Sequence, residues 1–414
     1  MSATDAFADA RTALERCDAL AALSAREGRI DRFYLTAEHA AANALAGSWM
    51  QAAGMDTWTD AVGNVCGRLE GATPGLPSLL LGSHLDTVPD AGRYDGPLGV
   101  VLAIAVAERL RDRMPSLPFA LEVVGFSDEE GTRFGSALMG SCGLAGTWDD
   151  GWWDQRDDDG VTLREAFAEF GLDPAAVGDA ARDPASLVGY LESHIEQGPS
   201  LEQEDLPLGV VSSIAGARRF ALRVVGEARH AGGTPYERRR DALVGASHAV
   251  VDVERIARDE GVIATVGSLH VHPGAVNVVP GRVDLTLDLR AEHDADRDRA
   301  WELIADAVEK RCAERGLTFE VVETHRAPAV AMDGALREAV AAGIRTTTGE
   351  EPRVLFSRAG HDAMAVAAVT PVAMQFVRCH DGISHHPDEA VRLDDVALAI
   401  DAFAAAVLAV ALAP

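Results

Sequence analysis

Five separated segments of this chain set a histidine or a carboxylate at or just beyond an apolar run: His84 with Asp86, Asp95, Glu129 with Glu130, His194, and His385 beside His386. Neutral imidazole mixed with carboxylate is a donor set that suits zinc, manganese, cobalt or nickel. Two metals about 3.5 Å apart need one bridging carboxylate and two further ligands each. A set of type His, Asp, Glu, His, His matches that requirement. Taken singly, each member has an ordinary alternative. A lone His at a strand end is commonly a hydrogen-bonded structural residue, and a Glu-Glu pair is commonly a solvated loop. The ordered set is what points to metal.

Such residues must be presented by rigid elements. Leu79-Leu80-Leu81-Gly82-Ser83-His84 opens as an apolar run, the pattern of a strand buried on both faces. Polar residues that follow it stand at its carboxyl end, where open α/β sheets place their ligands. Residues 119–126 form a second such run and lead into Ser127-Asp128-Glu129-Glu130-Gly131. Between them, 99–113 has apolar residues at helical spacing and stops at Arg113 before Pro115. Strand, helix, strand argues for a parallel unit with a right-handed crossover. Further strands are expected at 189–195 and 372–377, a hairpin at 56–69, helices at 11–23, 36–53 and 334–348, and a peripheral helical segment at 148–186. Around residue 210 the pattern changes. Strands at 210–213 and 219–225, a helix at 238–259, strands at 262–271 and 282–290, a helix at 295–315 and a strand at 317–324 give the order of a split βαβ layer. The expected fold is α/β, with a mixed, mainly parallel sheet in a catalytic domain over 1–209 and 327–414. An α+β, ferredoxin-like layer over 210–326 is inserted into it.

A chain of 414 residues exceeds one ordinary core, which fits two domains. Its formal net charge of −28 repels nucleic acid phosphates and anionic lipid, so neither is expected as a partner. An anionic substrate would then need locally placed arginine. The five cysteines are scattered and form no C-x-x-C pair, the usage of reduced thiols in a cytoplasmic protein. The N-terminal 16 residues lack a basic and an apolar signal region. The apolar stretch 402–414 is too short to span a bilayer and reads as a packed C-terminal helix.

The motifs GSHLDTVPDAGRYDGPLGV, FSDEEGTRFGSALMGS, ESHIEQGP, HAGGTP, AVNVVPGRVDLTLDLR, AGHDAM and GISHHPDE make the chain resemble the M20 metallopeptidase superfamily, over about residues 28 to 400. Within it the chain looks like the amidohydrolase branch of allantoate amidohydrolases, N-carbamoyl-L-amino acid hydrolases and β-ureidopropionases. The resemblance implies a binuclear metal-dependent hydrolase holding two divalent ions, zinc or manganese, with cobalt or nickel as alternatives. His84 and His194 would bind the first, Glu130 and His385 the second, and Asp95 would bridge them. Asp86 would orient His84, as carboxylates commonly orient ligating imidazoles. Glu129 would be the general base, a role that a carboxylate fills when metal has lowered the pKa of water.

In the inserted layer the resemblance makes His230 the donor that polarises the scissile carbonyl in the site of the other subunit, which implies a homodimer with this layer as lid and dimerisation domain. Asn277, Arg290 and Arg219 match substrate positions, and the Arg290 fork suits a carboxylate. Gln197, Gly360 and His361 are placed near the substrate. The family usually has Gly where this chain has Arg358. The implied reaction cleaves the ureido (N-carbamoyl) C–N bond of a small carboxylate, releasing ammonia and CO2. Allantoate is the first expected substrate and an N-carbamoyl-L-amino acid the second. A metallopeptidase and a non-catalytic binding module are the remaining alternatives.

Overall fold

A computed structural model of the protein describes residues 3–412. The outermost residues of the expected N-terminal and C-terminal helices, 1–2 and 413–414, lie outside the described residues. The chain divides into two compact units. The first comprises 1–212, 332–355 and 360–414, and the second comprises 213–331 and 356–359.

The first unit is built on the strand Ser78–His84, all seven residues of which are buried. It lies between Ala120–Phe126 and Leu187–Ile195 and runs parallel to both. Val372–Val377 extends this parallel core on the far side of Leu187–Ile195. Antiparallel strands flank it: Val65–Leu69 and Asp56–Thr59 at one edge, Leu208–Ile214 at the other. The apolar runs are buried on both faces because helices cover the sheet. Pro97–Leu110 packs against the central strand, and Ala37–Ala52 against the hairpin. Each fully buried leucine of the run contributes about 2 kcal/mol by leaving water. The carboxyl ends of the four parallel strands and the loops that follow them carry the histidines and carboxylates singled out in the sequence.

The C-terminal helix is longer than its apolar tail suggested. It spans Leu393–Leu412, long and apolar enough by composition to cross a membrane. Here it buries Val396, Ile400, Phe403 and Val407 in the core of the first unit, and Asp395 near its start pairs with Arg378 at 2.8 Å.

The second unit is a split βαβ layer. Its antiparallel strands run in the order Leu269–His272, Arg282–Ala291, Gly216–Val225, Thr318–Ala327. Helices Ala242–Glu260 and Asp294–Glu314 cover one face. Strict alternation along Gly216–Val225 decides which side chains face them. Phe220, Leu222 and Val224 point into the core, and the Phe220 ring stacks on Trp301 at 3.7 Å. Two expectations are corrected here. The strand expected at 210–213 is part of Leu208–Ile214, whose residues 208–210 pair with 375–377, so it starts in the large sheet. The strand expected at 262–271 is broken into Ile263–Thr265 and Leu269–His272. At the break the Thr286 hydroxyl accepts the Ser268 N–H at 3.1 Å, replacing a ladder bond.

Candidate metal centre

The histidines and carboxylates of the first unit converge on Asp95. Its Oδ1 lies 3.2 Å from His194 Nε2 and 3.7 Å from His84 Nε2. Its Oδ2 lies 3.1 Å from His385 Nε2, which in turn is 3.6 Å from Glu130 Oε1. One carboxylate therefore turns one oxygen to each of two donor groups. His84, Asp95 and His194 form the first, and Asp95, Glu130 and His385 the second, each within cation-binding range. His84 also groups with Glu129 and Glu130. The two adjacent histidines are both exposed and differ in what they face: His385 Nε2 meets Asp95, whereas His386 Nδ1 accepts the Asp388 N–H at 3.1 Å.

Backbone geometry holds the donors in place. His84 ends its strand, and Gly96 supports its ring from below. Gly96 has φ +82°, and a Cβ there would sit 2.6 Å from His84 Nε2 and closer still to Cε1. Only glycine fits this position. Asp86 is buried and acts twice. Its Oδ1 is 3.3 Å from His84 Nδ1, and its two oxygens accept the N–H groups of Glu129 (2.9 Å) and Glu130 (3.0 Å). It thereby ties the Glu-Glu loop to the His84 imidazole. His194 Nδ1 donates to the Ile195 carbonyl at 2.9 Å, which turns Nε2 toward Asp95. Gln197 donates to Asp95 Oδ2 at 2.9 Å and to Ser384 at 3.1 Å. Gln197 and His385 both take left-handed backbone, φ +55° and +57°, the kind of local strain that collects at functional sites.

Two supporting residues were not singled out in the sequence. Glu389 Oε1 accepts the N–H of Tyr94 (2.6 Å) and of Asp95 (3.1 Å), and Ser384 bridges Glu389 Oε2 to Asp95 Oδ2 at 3.2 and 2.7 Å. Both lie in the GISHHPDE segment, so position next to His385 was the available signal.

The electrostatics fit divalent cations. Burial, together with Glu130, drives Glu129 well above the usual carboxylate range. Burial and the Asp95 charge push Glu130 up to about 7 and Glu389 likewise to about 7. Asp95 is held well below its ordinary range, because the facing imidazoles of His194, His385 and His84 outweigh burial. So many buried carboxylates with so little cationic charge among them is a cluster that positive charge would stabilise. His194 Nε2 is buried with no hydrogen bond of its own, the orphan atom that a metal ligand leaves when considered without its ion.

Gly360 stands beside Glu129, a Cβ there being 3.5 Å from Glu129 Oε1. His361, expected near the substrate, is buried, and its ring packs edge-on against His194 at 4.5 Å. Burial and the nearby His194 keep it neutral, well below the usual histidine range.

The remaining expected residues lie in the second unit. Strand parity separates Arg218 from Arg219. Arg218 points to the helix-covered face and pairs with Asp298 (3.0 Å) and Glu323 (2.7 Å). Arg219 points to the opposite face, where it and Arg290 both bind Asp288, at 2.9 and 2.7 Å. His230 and Asn277 are also neighbours. The two-residue strands Arg229–His230 and Val278–Val279 pair, and Ala231 N–H donates to the Asn277 carbonyl at 2.8 Å. His230 is exposed. Its Nδ1 accepts the Gly233 N–H at 2.9 Å, which leaves Nε2 as its donor nitrogen.

Known proteins place this geometry. The model of the peptidase family M20/M25/M40 matches residues 80–409. A probable allantoate deiminase of Oryza sativa subsp. japonica is 38% identical over 92% of this chain and 84% of its own length. An N-carbamoyl-L-amino acid amidohydrolase of Geobacillus stearothermophilus is 38% identical over 90% of this chain and 91% of its own. A solved amidase of the hydantoinase/carbamoylase family from Burkholderia multivorans superposes with a TM-score of 0.89 at 34% identity, covering 98% of both chains. With a His/Asp/Glu centre at the carboxyl ends of its parallel strands, and with these relatives along nearly its whole length, the chain belongs to peptidase family M20/M25/M40 and is a hydrolase of its amidohydrolase class.

Proposed function

We propose that the protein hydrolyses the ureido (N-carbamoyl) C–N bond of a small carboxylate, with allantoate as first substrate. The observation that carries this reading is Asp95, one oxygen turned to His84 and His194 and the other to His385 beside Glu130. Two divalent cations held there, zinc or manganese before cobalt or nickel, would polarise the carbamoyl oxygen and lower the pKa of the attacking water. Glu129 takes the proton of that water and passes it to the leaving nitrogen, so that ammonia and then CO2 leave. Asp86 fixes the backbone of Glu129 through its N–H, which sets where the base starts from.

In the same reading Arg219 and Arg290 receive the substrate carboxylate, and Asn277 and Gln197 contribute polar contacts. His230 offers its Nε2–H to the oxygen of the tetrahedral intermediate in the partner's site of a homodimer, with the second unit serving as lid and dimerisation domain. Five free cysteines accord with a cytoplasmic location. The bacterial relative named for N-carbamoyl-L-amino acids, matched over 91% of its own length, favours that substrate as the second reading. Ammonia release from allantoate and from N-carbamoyl-L-amino acids, measured side by side with zinc or manganese, tests both. We expect allantoate to give the higher kcat/KM. Faster turnover of the carbamoyl amino acids would install the second reading, and no ammonia from either would overturn the proposal.

A further inference from the structure

On the open face of the sheet in the second unit, three strands set a row of polar side chains side by side. Arg219 stands directly opposite Asp288 on one side and His325 on the other. Arg290 lies two residues beyond Asp288, so the two share this face. Asp288 Oδ1 accepts Arg290 Nε at 2.7 Å, and Oδ2 accepts Arg219 Nε at 2.9 Å and Arg290 Nη2 at 3.3 Å. The carbonyl of Arg358 accepts Arg290 Nη1 at 2.8 Å, and the Arg358 guanidinium lies over the Phe356 ring. Three of the five N–H donors of Arg290 are thus engaged within the protein, which aims the remaining two. Arg219 uses only Nε here. Although burial works against it, Asp288 is held below the usual carboxylate range by Arg290 and Arg219, so it stays ionised. Burial and Arg219 lower His325, which leaves it neutral. Two arginines and one carboxylate therefore leave a single net positive charge.

We propose that Asp288 is the positioning residue of the carboxylate anchor and sets its charge, so that the enzyme selects ureido monocarboxylates over ureido dicarboxylates. This rests on the proposed function, in which Arg219 and Arg290 receive the substrate carboxylate. The physical reasoning is one of matched charge. One incoming carboxylate neutralises the anchor. A second negative group on the substrate would meet the fixed charge of Asp288, and like charges at this range discriminate between ligands. Asp288 also holds both guanidinium groups in one orientation before substrate arrives, which lowers the ordering cost of binding.

The test uses an isosteric pair, N-carbamoyl-L-aspartate and N-carbamoyl-L-asparagine, which differ in charge and hardly in shape. As substrates, or as competitors of allantoate turnover, the wild-type protein should favour the asparagine compound by about tenfold or more. Asp288→Asn should reduce that preference to within about threefold and raise KM for monocarboxylates by about tenfold, with kcat little changed. Asp288→Glu retains the charge and should retain the preference, a rescue that a merely structural role would not show. Equal handling of the pair by wild type, or an unchanged ratio in Asp288→Asn, would overturn the inference. The wild-type comparison needs no variant to fold. Arg290→Ala separates the two levels. If it leaves KM unchanged, the anchor itself is misassigned. If it raises KM while the wild-type protein handles the pair equally, only the role of Asp288 falls.

Discussion

Glu389 accepts the backbone N–H of Asp95 at 3.1 Å, across 294 residues of chain. Its other oxygen meets Ser384, whose hydroxyl donates to the Asp95 carboxylate. Asp95 is thus held at both its backbone and its side chain by one loop. Removing the acceptor leaves the buried Asp95 N–H and the half-buried Tyr94 N–H unpaired, the first at roughly 1–3 kcal/mol. Glu389→Ala should weaken metal affinity by about 10–100-fold, and Glu389→Gln, which keeps an acceptor, by less. Competition against a chromogenic chelator measures both.

Glu129→Gln keeps the shape and removes the base. Turnover should fall by about 10²–10⁴-fold while metal content by elemental analysis stays as in wild type. Activity within threefold of wild type would end its assignment as base. Co-expression of Glu129→Gln with His230→Ala chains then tests the shared site. If His230 serves the partner subunit, mixed dimers hold one complete site and regain activity that neither variant shows alone. No recovery in purified mixed dimers would place His230 in its own subunit's site or outside catalysis.

Gly96→Ala puts a methyl group into the His84 ring at a backbone position with φ +82°. Strain of this kind costs roughly 1–3 kcal/mol. The ring must move to relieve it, so metal affinity should fall along with Tm. Isothermal titration of the metal-free variant and a thermal melt read the two effects separately. Unchanged affinity would show that His84 tolerates a different seat.

His39 supplies a pH dependence remote from the metal donors. It is fully buried, stacks on Phe170 at 4.7 Å, and its Nδ1 accepts the Leu35 N–H at 3.0 Å. Burial lowers its pKa to about 4. The folded state therefore binds fewer protons than the unfolded state between the ordinary histidine value and about 4. Stability from this group is complete above pH 6.5 and is lost as pH falls toward 4, by roughly 3 kcal/mol. Asp60, raised to about 6 by burial, works in the opposite direction, so the comparison must be between proteins. The Tm difference between wild type and His39→Gln should shrink from pH 7 to pH 4.5. A constant difference would show that His39 is not buried neutral.

Much of the fold is visible in local pattern. The apolar runs at 79–84 and 120–126 are buried along their length, and the helix after the first begins at Pro97 as an N-terminal proline allows. Parity along 216–225 already separates Arg218 from Arg219, since Phe220, Leu222 and Val224 must face the core. The same rule places Asp288 beside Arg290 on one face. The broken strand at 263–272 and the early start of Leu393–Leu412 were less visible, because each depends on what a partner element offers.

For the metal centre, the chain by itself determines the donor types and the strand ends that carry them, since both follow from residue identity and hydrophobic period. Only the tertiary structure decides which oxygen of Asp95 meets which histidine, why His385 and not His386 faces Asp95, and that Glu389 anchors Asp95. These depend on contacts between loops separated by up to 294 residues. Such loops carry no periodic pattern, and their conformations are set by the neighbours that the sheet brings together.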